Sequence, residues 1–231
     1  LSTTLSVAVQ LAFLVSVATL VYVVFLREQT PRSVEMEVTP AGTPAPIETD
    51  VRIAISNVHF KGSSSARIIV GEFADVDCPY CVRWASAGRM DFEKRFVETG
   101  KVQFAFFQLP LPNHPGAELA AAAMECAGVQ GAFWPMHDRL FQPNRPRDTD
   151  GLVTASETLS LNSDAFRQCL SNWPPKVRED QVFAGELGIS GTPTFIVATL
   201  DEVGTMSPRF KIVGAPNERK LEELIQQILR N

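Results

Sequence analysis

Apolar and polar positions divide the chain into three regimes. From Leu5 to Leu26 the residues are apolar and uncharged, broken only by Ser6, Gln10, Ser16, Thr19 and Tyr22. A helix of that length can cross a bilayer core. From Arg27 to Asp50 the chain turns polar and carries Pro31, Pro40, Pro44 and Pro46, the composition of a semi-extended linker. From Val51 to Asn231 apolar residues recur with the periods of strands and helices, so the expected organisation is an anchor over 1–26, a linker over 27–50 and a folded domain over 51–231.

Within that domain, Val51–Ser56 reads as a short strand. Arg67–Ala74, an apolar run without regular polar alternation, reads as a strand buried on both faces. A helix is expected from Cys78 to about Glu98, stopped by Gly100, and a second buried strand over Val102–Leu109. Strand, helix and strand joined by a short link form a βαβ unit, parallel by default. Between about 111 and 188 the pattern becomes helical, with segments at Pro115–Gln130, Phe133–Phe141, Asp150–Leu159, Asp164–Asn172 and Pro175–Leu187, an inserted helical subdomain. Sheet character returns at Thr194–Val197 and Phe210–Val213. The last helix puts Leu221, Leu224, Ile225, Ile228 and Leu229 on one face.

Charge narrows the function. A net charge of −5 without a basic stripe offers no electrostatic footprint for nucleic acid. The apolar run at 5–26 is longer than the apolar core of a secretory signal, and its small-x-small sites lie inside it, which favours an uncleaved anchor over a cleaved leader. Arg27 and Arg32 just after the run, taken alone, put the following domain in the cytoplasm. A redox-active thiol pair is useful where disulfides persist, on the far side of the cytoplasmic membrane, and this consideration ranks higher.

That thiol pair is Cys78 and Cys81, at the end of the buried strand. Pro79 suits the first position of a helix, because its φ is already helical and its missing N–H would be unpaired there. Cys78 then caps the helix, where free N–H groups and the dipole favour a thiolate. Cys81, one turn on, begins an apolar stripe with Trp84, Ala85, Gly88 and Phe92 and faces inward as the resolving thiol. Zinc would need a second close pair, whereas Cys126 and Cys169 stand far apart and His59, His114 and His137 lack ligand spacing, so no metal is expected. His137, after the apolar run Phe133–Met136, reads as a packed or surface histidine. Cys126 and Cys169, on two helices of the insertion, are expected to form a structural disulfide, the alternative being two buried thiols.

Cys78-Pro79-Tyr80-Cys81 after a buried strand, with Gly191-Thr192-Pro193-Thr194-Phe195 opening a later one, resembles the thioredoxin superfamily. The helical insertion between the two motifs resembles its DsbA-type branch, and the likeness covers Val51–Asn231. Within that branch the motif Phe-x-Asp-x-x-Cys-Pro-x-Cys maps onto Phe73, Asp75, Cys78 and Cys81. Asp77 is a second candidate for the motif aspartate.

The resemblance implies a thioredoxin-like α/β fold and a thiol–disulfide oxidoreductase without a bound cofactor. It implies that Pro193 is cis against the sulfurs, with Pro79, Tyr80, Thr192 and Pro193 contacting an extended substrate, and that Glu72 is a buried acid shuttling the Cys81 proton. Its expected partners are thiols of exported proteins or peptides and a quinone-linked membrane oxidase. Two residues temper the comparison with the strongest oxidases. Tyr80 stands where they carry histidine, and Thr192 before the proline also occurs in isomerases and reductases. Cys-Pro-Tyr-Cys is shared with glutaredoxins, which sit near about −200 to −230 mV against about −120 mV for DsbA. The alternatives are a disulfide isomerase or reductase, and a redox-inert binding or chaperone module on the same fold.

Overall fold

The computed structural model describes residues 41–48, 50–54 and 58–230. They belong to one compact unit, Thr39–Asn231. The anchor expected at 5–26 lies outside the described residues. Among the described residues no helix is long and apolar enough to cross a membrane.

Seven strands form one sheet: β1 (Pro44–Pro46), β2 (Ile53–Ala54), β3 (His59–Lys61), β4 (Ile68–Ala74), β5 (Gln103–Gln108), β6 (Thr194–Leu200) and β7 (Thr205–Val213). The order is β1-β7-β6-β4-β5-β3, with β2 also on β7. β4 lies at the centre, parallel to β5 and antiparallel to β6. All seven of its residues are buried, as a run without polar alternation requires. Gly71 makes room in this strand: a Cβ there would stand 2.7 Å from the ring of Phe107, which stacks on Phe73 with centroids 4.8 Å apart.

The structure revises the linker boundary. Pro44–Pro46, read from the sequence as linker, pairs antiparallel with Phe210–Ile212 of β7. Proline is tolerated there because β1 is an edge strand that needs no donor on its outer side. Of the strand expected at Val51–Ser56, Ile53–Ala54 is present, and residues 55–57 lie outside the described set.

The helical run α1 follows β4 and is assembled from Pro79–Arg83, a π turn Trp84–Gly88, Arg89–Phe92 and a second π turn Glu93–Val97. Five helices fill the interval between β5 and β6: α2 (Ala117–Val129), α3 (Phe133–Leu140), α4 (Thr149–Thr158), α5 (Ser163–Asn172) and α6 (Lys176–Glu186). The last helix is α7 (Glu218–Arg230).

Alternate residues of β4 face opposite layers. Ile68 and Val70 pack with Trp84, Phe92 and Phe96 of α1 and Leu221, Leu224 and Ile225 of α7. Ile69 and Phe73 pack with Phe183, Ala184 and Leu187 beside α6. A third cluster joins Ala74, Cys78 and Cys81 to α2–α5 through Phe106, Met124, Met136 and Phe166. Leu229, expected on the buried face of α7, is 54% exposed, whereas Ile228 beside it packs against the cluster of α1 and α7. His137 is packed, its ring edge-on to Phe106 and buried from solvent.

Candidate active site

The buried strand β4 ends at Ala74 and the chain turns through Asp75-Val76-Asp77 before Pro79 starts α1. That turn is tied from within and from two sides. Asp75 Oδ1 accepts from the Asp77 backbone N–H at 2.6 Å. Its Oδ2 accepts from the Leu111 N–H and from His114 Nδ1, both at 2.7 Å. Asp77 Oδ1 accepts from Arg147 Nη1 at 2.9 Å and from Arg145. Of the two candidate motif aspartates, Asp75 fixes the turn to the loop after β5 and Asp77 fixes it to the loop between α3 and α4.

Cys78 occupies the N-cap of α1 with extended backbone (φ −73°, ψ 118°), and Pro79 takes the first helical position. Because Pro79 has no amide hydrogen, the first free N–H groups of α1 are those of Tyr80 and Cys81. The Thr192–Pro193 peptide is cis, and the Cys78 thiol lies 3.2 Å from the Thr192 carbonyl oxygen. Pro193 is itself held by the Gly214 N–H, which donates to its carbonyl at 2.9 Å. Tyr80 is 64% exposed beside this junction, with the Arg83 guanidinium 5.5 Å from its ring centroid.

The two sulfurs differ chemically. The Cys81 thiol first, then Thr192 and the N–H groups of Cys81 and Tyr80, stabilise the Cys78 thiolate against the cost of burial and bring its pKa down from 9.0 to about 5. Cys81 is fully buried. Desolvation first, with the Cys78 thiolate and Glu72 adding to it, pushes its thiol far above the usual range. This difference suits Cys78 to attack and to leave as an anion, and Cys81 to keep its proton near neutrality.

Glu72 lies two residues before the end of β4 and is 1% exposed, flanked by Phe106 on β5 and Phe195 on β6. Burial lifts its carboxyl from 4.5 to about 8, against the opposing pull of Arg89 and of the Trp84 N–H. Trp84 Nε1 donates to Glu72 Oε2 at 3.2 Å. Cys78, Cys81, Pro79, Tyr80, Thr192, Pro193 and Glu72 thus converge from β4, α1 and the start of β6.

Cys126 and Cys169 are elsewhere, bonded to each other between α2 and α5 with Cα atoms 5.7 Å apart. A cavity of about 350 Å³ is lined by His59, Glu125, Gly128, Pro174 and Lys176 and includes none of the residues just named. Among the described residues no three His, Cys, Asp or Glu side chains come together as a metal site. Sequence reasoning named Trp84 and His114 without a role and missed Arg89, Arg145 and Arg147. The Asp75 motif position was the one signal for a partner, and the arginines lie 68 and 70 residues from Asp77 with no local pattern to reveal them.

The family model described as Thioredoxin matches residues 56–201. A segment of the Na(+)/H(+) antiporter NhaA 3 of Salinispora tropica is 38% identical over 145 residues, covering 60% of this chain and 21% of the antiporter. Disulfide bond formation protein D of Bacillus subtilis is 29% identical over 146 residues, covering 59% of this chain and 65% of that protein. The chain spans about a fifth of the length of the antiporters it matches. Among solved structures, oxidised BdbD from Bacillus subtilis superimposes with a TM-score of 0.62 at 22% identity, over 83% of this chain and 98% of that one. DsbA2 of Pseudomonas aeruginosa superimposes with a TM-score of 0.58 at 25% identity, over 74% and 94%. The helical insertion between α1 and the cis proline is the fold shared with the BdbD and DsbA2 structures, and with the family model covering more than half of its length the chain belongs to the thioredoxin family.

Proposed function

We propose that this protein is a thiol–disulfide oxidoreductase that oxidises thiols of exported proteins through a Cys78–Cys81 disulfide. The carrying observation is the asymmetry of the pair: a Cys78 thiolate at a helix N-terminus beside Thr192–Pro193, and a buried, proton-holding Cys81 behind it. The similarity to disulfide bond formation protein D supports the same reading.

In the oxidised protein a substrate thiolate attacks Cys78 Sγ. A substrate–Cys78 bond forms, the Cys78–Cys81 bond breaks, and Cys81 leaves as a thiolate that takes up a proton. The second substrate thiolate then attacks the substrate sulfur and expels Cys78, which departs readily because its thiolate is stabilised. Two electrons pass from the substrate dithiol to the pair. In the reverse sense, Cys81 loses its proton and attacks Cys78 to release the partner, with Glu72 as proton acceptor. Tyr80 and the Thr192–Pro193 segment form the face an extended substrate meets.

The apolar run at Leu5–Leu26 supports a tether to the cytoplasmic membrane, with the domain on the side where disulfides persist. The occurrence of a similar segment in sodium/proton antiporters is consistent with a membrane setting. A quinone-linked membrane oxidase then regenerates the disulfide. The test is the potential of the pair, equilibrated with glutathione, together with single-turnover oxidation of a reduced two-cysteine peptide. A potential well above the glutaredoxin range of about −200 to −230 mV, with stoichiometric peptide oxidation, supports the oxidase. A potential below that range makes the protein a reductase.

A further inference from the structure

Along the α1-facing side of β4 stand Ile68, Val70, Glu72 and Ala74, so one carboxyl interrupts an apolar surface. Its two oxygens are treated differently. Oε2 accepts from Trp84 Nε1, whereas Oε1 is buried without a hydrogen-bond partner among the described residues. The indole is delivered by the backbone. Trp84 opens the π turn Trp84–Gly88, and a Cβ on Gly88 would stand 2.4 Å from Trp84 Cε3. Glycine at 88 is what leaves the ring its place against the sheet, and π turns recur at functional sites.

Arg89, the residue after that turn, is 8% exposed and braced from two elements. Nη1 donates to Glu93 at 3.0 Å and Nη2 to Asp138 of α3 at 2.7 Å, while Nε is buried without a partner. Lys61 of β3 secures Glu93 from the other side at 3.1 Å. The groups acting on Glu72 are therefore Arg89 and the Trp84 N–H, which favour its anion, and Cys78 and Glu93, which disfavour it; Glu72 in turn acts on Cys81.

We propose that Trp84, through its hydrogen bond, is a positioning residue for thiol–disulfide exchange that holds the Glu72 carboxyl within reach of the sulfurs as the proton acceptor for Cys81, and that Arg89, braced beyond it on Glu93 and Asp138, acts on the same carboxyl through its charge. This rests on the oxidoreductase reading and on Glu72 as the base. Burial by itself would keep Glu72 protonated and useless as a base. The indole N–H and the guanidinium return it to the range in which it can exchange a proton near neutrality. The step is balanced: the Cys81 proton passes to Glu72, Cys81 attacks Cys78, the Cys78–Cys81 bond forms, and the substrate–Cys78 bond breaks with the substrate leaving as thiolate.

The experiment follows release of a coloured aromatic thiolate from its Cys78 mixed disulfide by stopped flow. It uses the full chain, between about pH 6 and 9.5, the span around a raised carboxyl pKa. Wild type, Glu72→Gln, Trp84→Phe, Arg89→Gln and the two double variants with Glu72→Gln are compared. The wild-type rate should inflect near pH 8, and Glu72→Gln should remove that inflection. Trp84→Phe and Arg89→Gln should each move it upward by about one unit, the scale of one hydrogen bond to a charged group, and should leave the Glu72→Gln profile as it is. An inflection that survives Glu72→Gln removes Glu72 as the acceptor and this proposal with it. Loss of the inflection in Glu72→Gln, with Trp84→Phe and Arg89→Gln superimposing on wild type, keeps Glu72 and overturns the roles given to Trp84 and Arg89. Should Trp84→Phe fail to fold, Arg89→Gln and a carbon-detected titration of the Glu72 carboxyl decide between the same outcomes.

Discussion

The Cys78 sulfur stands 3.2 Å from the carbonyl oxygen of Thr192, 114 residues further along the chain. The contact joins the start of α1 to the residue before Pro193 and brings the leading sulfur to the face where Tyr80 is exposed. Cys81, its thiol against the Cys78 sulfur, is fully buried in the cluster that also holds Ala74 and Phe106.

Sulfur asymmetry gives the first expected outcome. Cys81→Ala should accumulate mixed disulfides with substrate thiols, because nothing internal can expel them, whereas Cys78→Ala should accumulate none. Non-reducing electrophoresis with a two-cysteine peptide measures both, and equal trapping by the two variants would remove the assignment of roles.

Reduction should take up one proton rather than two. With Cys78 ionised above about pH 5 and Cys81 well above the usual range, the reduced pair near neutrality is one thiolate and one thiol. The potential should therefore fall by about 30 mV per pH unit between about pH 6 and 8, half the slope of an ordinary dithiol. Alkylation of Cys78 should already be fast at about pH 6.

Stability should diverge between redox forms as pH rises above about 5, where Cys78 ionises in the folded reduced state, while the histidines, present in both forms, cancel from the difference. The raised Glu72 keeps its proton when folded and gives it up when unfolded, so the unfolded state binds fewer protons and stability falls with rising pH, by at most about 1.4 kcal/mol per unit. Cys78 has the opposite sign: its folded pKa is depressed, so its contribution is gained with rising pH and lost as pH falls through about 5. In the oxidised form Cys78 does not titrate. Urea titrations at about pH 6.5 and 8, bracketing neutrality, should show the reduced form gaining on the oxidised one, and Glu72→Gln should flatten the pH dependence of the oxidised form.

The Asp77 clamp should be costly to open. The side chains of Asp77 and Arg145 are 9% and 7% exposed, so Asp77→Ala strands a buried guanidinium. A loss of about 3 kcal/mol is expected from the urea midpoint. Arg147→Ala, at a side chain 61% exposed, should cost less than about 1 kcal/mol.

The Cys126–Cys169 bond joins residues 43 apart on α2 and α5 and should stabilise the insertion by at most about 4 kcal/mol on the chain-entropy model. With limiting reductant, mass spectrometry should find the Cys78–Cys81 pair open and Cys126–Cys169 intact. Four free thiols under those conditions would contradict the bond.

Local pattern determined a great deal. The apolar run to Ala74, Pro79 at a helix start and the stripe from Cys81 to Phe92 were enough for β4, α1 and the order of the sulfurs, because strand burial, helix capping and side-chain periodicity act over a few residues. The five helices of the insertion were legible for the same reason. What the tertiary structure decided depends on distance along the chain. β1 is a strand because β7 offers an edge to a segment whose prolines read as linker. The partners of Asp77 come from the α3–α4 loop, and Asp75 meets His114 across a turn after β5. The environment of Glu72 depends on a tryptophan 12 residues on, an arginine braced by α3 and a glycine that clears space for an indole. Desolvation and charge–charge terms act through space, and only the packed fold sets which groups stand close enough to shift one another.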